Sequence, residues 1–176
     1  MRKALFLLGA LQDSDIDWMV SAGRREKVPR GKILIEEGKD IDCLYIVADG
    51  TLAVQLSAVG NKEIARLKAG EVIGEISFVD SSPPSANVVA LEDCLVLRIP
   101  RSTLKERLND PGFGSRFYRA LAIFLANRLR NTVLHLGYGK QSLQSVPHEE
   151  VSPTALETLS IAGARFEWML KRLRGL

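Results

Sequence analysis

The chain has 176 residues, of which 46% are hydrophobic and 26% charged, and its formal net charge is +3. These values are ordinary for one folded domain with extensions, and they argue against a disordered chain. The small positive charge, spread over interspersed acids and bases, does not identify a nucleic-acid-binding protein. The basic excess after residue 113 is typical of a solvated helix surface, with a nucleic-acid footprint as the alternative.

The cysteines and histidines give no sign of a structural bridge or a metal site. Cys43 and Cys94 lie in apolar strand-like runs, so we expect buried free thiols in a reducing compartment rather than a disulfide. His135 and His148 have no Cys, His or carboxylate partner at ligand spacing, and no metal site is predicted.

The N-terminal region, residues 1–27, is predicted to form helices. Residues 1–11 carry two basic residues and a short apolar run, which also resembles the start of a signal peptide. That run is broken by Gly9, lacks a small-residue cleavage site and is too short to cross a bilayer, so a helix packed on the domain is favoured. This interpretation implies a cytoplasmic protein. A second helix is predicted over residues 13–23, capped by Asp13 or Ser14 and ended by a glycine.

Residues 28–100 change to short β-like runs with turn signals every eight to twelve residues, which predicts a barrel. Asp49-Gly50 and Gly60-Asn61 are predicted hairpin turns, because glycine tolerates a positive φ. Many short strands followed by helices indicate the α+β class, with a β-roll or jelly-roll barrel of about eight short antiparallel strands capped by helices. The predicted strands are 32–36, 42–48, 51–57, 63–67, 71–73, 86–92 and 94–99.

The chain after the barrel is predicted to be helical, with one polar interruption. A short helix over residues 101–108 and a long helix over 114–136 complete a domain spanning 28–136. The long helix shows an apolar stripe at three- and four-residue spacing, made of Phe117, Leu121, Phe124, Leu125, Leu129 and Val133. Residues 137–153 read as a linker, and a last helix over 154–174 is predicted to cover the domain's own core or to offer a partner surface.

The most informative segment is residues 74–88. A Gly74-Glu75 pair opens a short helix, a loop of small residues and two prolines follows, and an apolar strand resumes at Val88. A helix start near a glycine can present unpaired backbone N–H groups to an anion. A carboxylate such as that of Glu75 can only accept hydrogen bonds, which suits a sugar hydroxyl.

This segment resembles the phosphate-binding cassette of cyclic-nucleotide-binding domains, the β-roll found in cyclic AMP receptor proteins and protein kinase A regulatory subunits. The resemblance covers residues 13–136, with further matching runs at 31–38, 42–50, 64–73 and 95–100. It implies a non-enzymatic regulatory domain without a cofactor, whose ligand is cAMP or cGMP.

The resemblance also implies a set of ligand-binding residues. Glu75 would accept from the ribose 2′-hydroxyl, and Gly74, Ile76 and Ser77 would offer backbone N–H groups. Ser85 would donate its hydroxyl to the phosphate. Asn87 would bond the phosphate or a base edge. The alternatives are a helix cap or a salt bridge for Glu75, and turn chemistry or strand-face polarity for Ser85 and Asn87.

The chain departs from the family at Pro84, where the family places its phosphate-binding arginine. Arginine holds a phosphate through two charge-assisted hydrogen bonds, and losing it costs about 1.5 to 3 kcal/mol, or roughly 10- to 150-fold in affinity. Arg66, Arg98 or an arginine of the long helix could replace that cation. In the family the long helix also pairs with its twin, so a homodimer through residues 114–136 is the alternative to packing on its own barrel.

Four hypotheses about function follow. The leading one is a regulatory module with weak, altered or lost cyclic-nucleotide binding that signals through a protein partner. The second is a genuine cAMP or cGMP sensor with a substitute cation. A DNA-binding regulator would carry a winged helix-turn-helix after the long helix, whereas only 40 residues follow Leu136. A metal-dependent enzyme on a similar barrel would need clustered histidines, which the barrel strands lack.

Overall fold

The computed structural model describes residues 5–135 and 153–174. The strands are β1 (Arg24–Val28), β2 (Ile33–Ile35), β3 (Cys43–Asp49), β4 (Thr51–Leu56), β5 (Lys62–Lys68), β6 (Val72–Ile73), β7 (Asn87–Ala90) and β8 (Cys94–Pro100). The helices are α1 (Leu5–Ala10), α2 (Asp13–Ala22), α3 (Glu75–Asp80), α4 (Arg101–Arg107), α5 (Pro111–His135) and α6 (Pro153–Arg174), with a 3₁₀ turn at Ser57–Val59.

The eight strands form two antiparallel sheets that enclose one apolar core. Their orders are β1-β8-β3-β6 and β2-β7-β4-β5. Inward-facing side chains fill the space between the sheets, among them Val47, Leu52, Leu67, Val88 and Val96. The predicted α+β fold with a β-roll of about eight antiparallel strands is confirmed.

A second apolar cluster lies between the outer face of the first sheet and the helices. Alternation along a strand gives β3 and β8 a second buried face, and their Leu44, Ile46, Leu97 and Ile99 contact this cluster. The helical side contributes Leu8, Leu11, Ile16, Met19, Phe113, Phe117, Ala120, Leu121, Phe124, Ala162, Phe166, Met169, Leu170 and Leu173. The last helix therefore covers the domain's own core with one face.

An ion pair and side-chain hydrogen bonds connect the helices to one another. Asp15 of α2 is fully buried and receives two hydrogen bonds from the Arg116 guanidinium of α5, at 2.7 and 2.8 Å. Burial alone would raise the pKa of Asp15, but the hydrogen bonds from Arg116 and the Gln12 backbone hold it below its ordinary value. Arg165 of α6 donates to the backbone carbonyls of Leu8 and Leu11, where α1 ends.

Strand β1 corrects the prediction that residues 1–27 are helical. Arg24–Val28 pairs antiparallel with β8, with Arg24 opposite Arg98 and Val28 opposite Cys94. Gly23 ends α2 as predicted, but in an extended conformation with φ −84°. Glycine is needed there because a Cβ would lie 2.4 Å from Leu97 Cδ1 and 2.9 Å from the Met19 carbonyl oxygen.

One of the two predicted hairpins is wrong and the other is confirmed. The Asp49-Gly50 turn connects β3 in one sheet to β4 in the other, so it is a corner between sheets. Gly60 and Asn61 do join paired strands, with Leu56 opposite Lys62 and φ values of 71° and 59°. Both residues therefore hold the positive φ that such a hairpin requires.

The helices after the barrel lie close to their predicted positions. Helix α5 begins at Pro111 rather than Gly114, because Asp110 caps it by accepting the Gly112 N–H at 2.9 Å. The predicted linker at 137–153 lies outside the described residues except for Pro153, the first residue of α6.

Among the helices described, none combines the length and apolar character that a membrane span needs. The described residues also bring together no group of three acidic, His or Cys side chains suited to a metal ion.

Candidate functional site

A cavity of about 300 Å³ opens at the end of the barrel beside α3. Its inner wall is apolar and comes from the barrel strands and the loop before β3, through Ile35, Ile41, Val54, Leu67, Ile73 and Val88. Its outer wall is formed by α3, the loop after it and one side chain of α5. The size and the mixture of an apolar wall with a few polar groups are typical of small-molecule sites.

Gly74 is the residue that brings α3 against the cavity. It holds φ at +87° before the helix, a conformation that glycine adopts without steric cost. A Cβ at this position would lie 2.8 Å from Ile41 Cδ1 and 3.1 Å from the Cys43 carbonyl oxygen. The next residue, Glu75, therefore enters α3 pointing toward the barrel end.

Glu75 is the central polar group of the site. Its side chain is 2% exposed, and Arg128 of α5 donates a short hydrogen bond from Nη1 to Oε1. Burial raises the pKa of Glu75, while the charge and hydrogen bond of Arg128 oppose the rise without cancelling it. The Arg128 side chain is 33% exposed, so the pair lies at the boundary between the barrel and solvent.

Five of the six residues named from the sequence line this cavity: Gly74, Glu75, Ile76, Ser77 and Ser85. The sixth, Asn87, does not. Its Oδ1 accepts the Glu37 N–H at 2.8 Å, and its Nδ2 donates to Ser57 Oγ at 2.8 Å. Asn87 therefore ties two loops together, in agreement with the alternative of local polar structure.

Pro84 lines the cavity at the position where the family places arginine. Its carbonyl accepts the Gly38 N–H at 2.8 Å, so the loop is fixed to the β2–β3 turn without any cation. Two of the suggested substitutes lie elsewhere: Arg66 pairs with Glu63 on the surface, and Arg98 pairs with Asp42. Of the described cavity-lining residues, Arg128 alone carries a positive charge.

Arg128 is the cavity-lining residue that the sequence named only as one of several arginines of the long helix. The apolar stripe predicted for the long helix continues from Phe124 through Leu125, Leu129 and Val133. In the structure, however, Leu129 is 65% exposed and Val133 is 41% exposed. The buried face instead follows Phe117, Leu121 and Phe124, and four residues further on it reaches Arg128. A basic residue that continues a buried apolar spacing was the signal that could have found it.

The structure has two facing antiparallel sheets, a Gly-Glu helix start beside a cavity, and a long helix that returns to that cavity. These features define a β-roll domain with a candidate ligand-binding cavity. Residues 25–110 match the family model of the cyclic nucleotide-binding domain. The similarity to this family therefore lies in residues 25–110.

Three relatives show the extent of the similarity. The chain is 33% identical to the cyclic AMP receptor protein of Thermus thermophilus over 74% of its length and 60% of the relative's. The Thermus thermophilus catabolite activator protein superposes with a TM-score of 0.64 at 26% identity, covering 97% of this chain and 85% of that one. The regulatory domain of Toxoplasma gondii protein kinase A with cAMP gives 0.54 at 27% identity, covering 57% and 39%.

The chain spans only part of its curated relatives. It covers 60% of the Thermus thermophilus cyclic AMP receptor protein. It covers between 9% and 24% of further relatives, which include fungal lysophospholipases and kinase regulatory subunits. The similarity to those larger proteins therefore covers only a small part of their length.

Proposed function

We propose that this chain is a non-catalytic cytoplasmic regulatory module whose cavity binds cAMP and cGMP weakly or not at all, and which acts through a protein partner. The observation that carries the proposal is the Glu75–Arg128 ion pair in a cavity that has Pro84 in place of a phosphate-binding arginine. The buried free thiols of Cys43 and Cys94 suit a reducing compartment.

The ion pair opposes cyclic-nucleotide binding in two ways. A phosphate that recruited Arg128 would leave the Glu75 carboxylate, 2% exposed, without its cation, and an unpaired buried charge is costly. A ligand that left the pair intact would place its phosphate beside Pro84, which offers neither a charge nor an N–H. In both cases the phosphate gains less than it would from a dedicated arginine.

The second candidate is a genuine cyclic-nucleotide sensor in which Arg128 is the substitute cation. Its support is that Arg128 lines the same cavity and keeps a third of its side chain exposed. The domain is also similar to a Thermus thermophilus protein named for cyclic AMP and to a kinase domain solved with cAMP. Under this alternative the guanidinium moves from Glu75 to the phosphate when the nucleotide enters.

Restoring the missing arginine distinguishes the two candidates. Relative to the original chain, we expect Pro84→Arg to raise the affinity for cAMP roughly 10- to 150-fold, because two charge-assisted bonds contribute about 1.5 to 3 kcal/mol. Isothermal titration of both cyclic nucleotides into the original chain and the variant measures this gain. Pro29→Arg is the matched control, since Pro29 is an exposed proline that does not line the cavity.

The titration has clear outcomes. Weak or undetectable binding to the original chain, with a gain in Pro84→Arg and none in Pro29→Arg, supports the proposal. Binding of cAMP to the original chain as tight as to Pro84→Arg rejects it and favours Arg128 as the substitute cation.

For the output of the module we propose a homodimer or partner interface through α5. Tyr118, Leu129 and Val133 lie on the surface of this helix and are 52%, 65% and 41% exposed. Exposed apolar side chains repeated along one helix are typical of a contact surface. We propose no DNA-binding role, because α6, the one helix described after α5, buries its apolar face against α1 and α2.

A further inference from the structure

The cavity carries more negative than positive charge. Its described lining includes two carboxylates, Glu75 and Asp80, and a single cation, Arg128. The other polar side chains that line it are the neutral hydroxyls of Ser77, Ser82 and Ser85. The net charge of the lining is therefore negative, and this favours a ligand without negative charge.

The positive charge of Arg128 is already paired with the Glu75 carboxylate. Its guanidinium donates to Glu75 Oε1, and Glu75 is almost fully buried, so the two charges neutralise each other where water is largely excluded. An anionic ligand can gain Arg128 only by separating this pair.

Asp80 adds a negative charge to the wall of the cavity that Pro84 also lines. It is the last residue of α3, and its Oδ1 accepts the Ser82 N–H at 2.9 Å, which directs the carboxylate along the loop that leads to Pro83 and Pro84. Because Asp80 is exposed, salt screens its repulsion of an anion. The repulsion nevertheless acts in the same direction as the missing arginine.

A neutral ligand with hydroxyl groups meets none of these obstacles. The contact from Arg128 is to Oε1, and a carboxylate has further lone pairs on both oxygens, so Glu75 can accept a hydroxyl while keeping its cation. The apolar wall, which includes Ile35, Leu67 and Val88, suits the face of a flat ring. A sugar joined to a planar base satisfies both parts of the cavity.

We propose that the cavity selects an uncharged nucleoside over the corresponding cyclic nucleotide, with Glu75 accepting from the sugar hydroxyls. The inference rests on the proposed function, in which cyclic nucleotides bind weakly or not at all. It goes further by naming the chemical class that replaces them.

Titration of the whole chain with adenosine, 2′-deoxyadenosine and cAMP tests the inference. We expect adenosine to bind at least about 10-fold more tightly than cAMP, because only cAMP brings an unpaired phosphate. We expect 2′-deoxyadenosine to bind roughly 10-fold more weakly than adenosine, because a hydrogen bond to a charged acceptor is lost. Guanosine and cGMP provide the same comparison for the other purine.

Two variants locate the selectivity in this cavity. Asp80→Asn removes the exposed charge, and we expect it to raise cAMP affinity a few-fold and to change adenosine affinity by a smaller factor. Asp17→Asn is the matched control, since Asp17 is an exposed carboxylate of α2 that does not line the cavity. Glu75→Gln keeps the size of the side chain, and we expect it to weaken adenosine binding about 10-fold because the acceptor is no longer charged.

The outcomes separate this inference from the proposed function. If neither adenosine nor cAMP binds at millimolar concentration, the inference is overturned while the proposed function stands. If cAMP binds tightly and at least as well as adenosine, both are overturned. Adenosine affinity that is unchanged in Glu75→Gln also overturns the inference, because the ligand then does not use this carboxylate.

Discussion

At the scale of single residues, the central group of the site is the carboxylate of Glu75, which can accept hydrogen bonds from Arg128 and from a sugar hydroxyl. The family uses this carboxylate for a sugar hydroxyl, whereas here Arg128 already occupies Oε1 of Glu75. A buried carboxylate without a cation is destabilising. Pairing with Arg128 avoids that cost and ties α5 to α3.

Replacing Arg128 by methionine should destabilise the fold in a pH-dependent manner. We expect a loss of about 2 to 3 kcal/mol at neutral pH, the low side for a buried pair because a third of Arg128 is exposed. Burial already raises the pKa of Glu75, and losing the cation raises it further. The carboxyl then folds protonated at mildly acidic pH, so the deficit shrinks as pH falls toward the ordinary value of 4.5.

Chemical denaturation of both proteins between pH 4.5 and 7.5 measures this difference. Arg128→Lys is the control, because it keeps a cation near Glu75 and should lose less stability. A deficit of Arg128→Met that stays constant across this range contradicts the assignment, since a purely steric loss would not depend on the protonation of Glu75.

The carboxylate was predicted from the sequence, whereas its partner was named only as one of the arginines of the long helix. Glu75 follows a glycine at a helix start, a local pattern that the chain itself displays. Arg128 is 53 residues away, and only the packing of α5 on the barrel brings the two together. In the sequence, the apolar residues after Phe124 extended the predicted stripe along a face that does not include Arg128. In the structure, Leu129 and Val133 of that stripe are exposed.

At the scale of elements, the turn from α2 into β1 shows why a strand made mostly of charged residues is missed in the sequence. Four of the five residues of β1 are charged, so no apolar alternation indicates a strand. The strand forms because it lies along the edge of its sheet, where β8 supplies its hydrogen-bonding partner. The corner at Asp49-Gly50 was misread for a related reason, since a turn motif does not reveal which sheet the next strand joins.

Gly23→Ala should disturb this junction by crowding. The added methyl would lie 2.4 Å from Leu97 Cδ1, and Leu97 is fully buried, so we expect a loss of about 1 to 3 kcal/mol. Gly163→Ala in α6 is the opposite control: nothing lies within 4 Å of the new Cβ, and we expect a gain of about 0.5 to 1 kcal/mol. Equal stability changes in the two variants, read from denaturation midpoints, would refute the steric account.

At the scale of the whole molecule, α5 connects the N-terminal helices, the helical core and the cavity. Its Arg116 pairs with Asp15 of α2, its Phe117 packs in the helical core, and its Arg128 reaches the cavity. The opposite side of the same helix exposes Tyr118, Leu129 and Val133. A shift of α5 on ligand binding would therefore move these exposed side chains as well, which is the route from cavity to partner that the proposed function requires.

The last prediction concerns that exposed stripe. If the stripe joins two copies, Leu129→Glu should convert a dimer into a monomer in sedimentation experiments, because a carboxylate in an apolar contact is unpaired and desolvated. Leu129 is 65% exposed in the single chain, so the substitution leaves the fold stable and the change reports on association alone. Ile64→Glu is the matched control, because Ile64 is an apolar side chain of β5, a different element, and is 53% exposed. A chain that sediments as a monomer before any substitution would exclude the homodimer and leave the stripe to a different partner, whereas loss of the dimer in both variants would place the contact elsewhere.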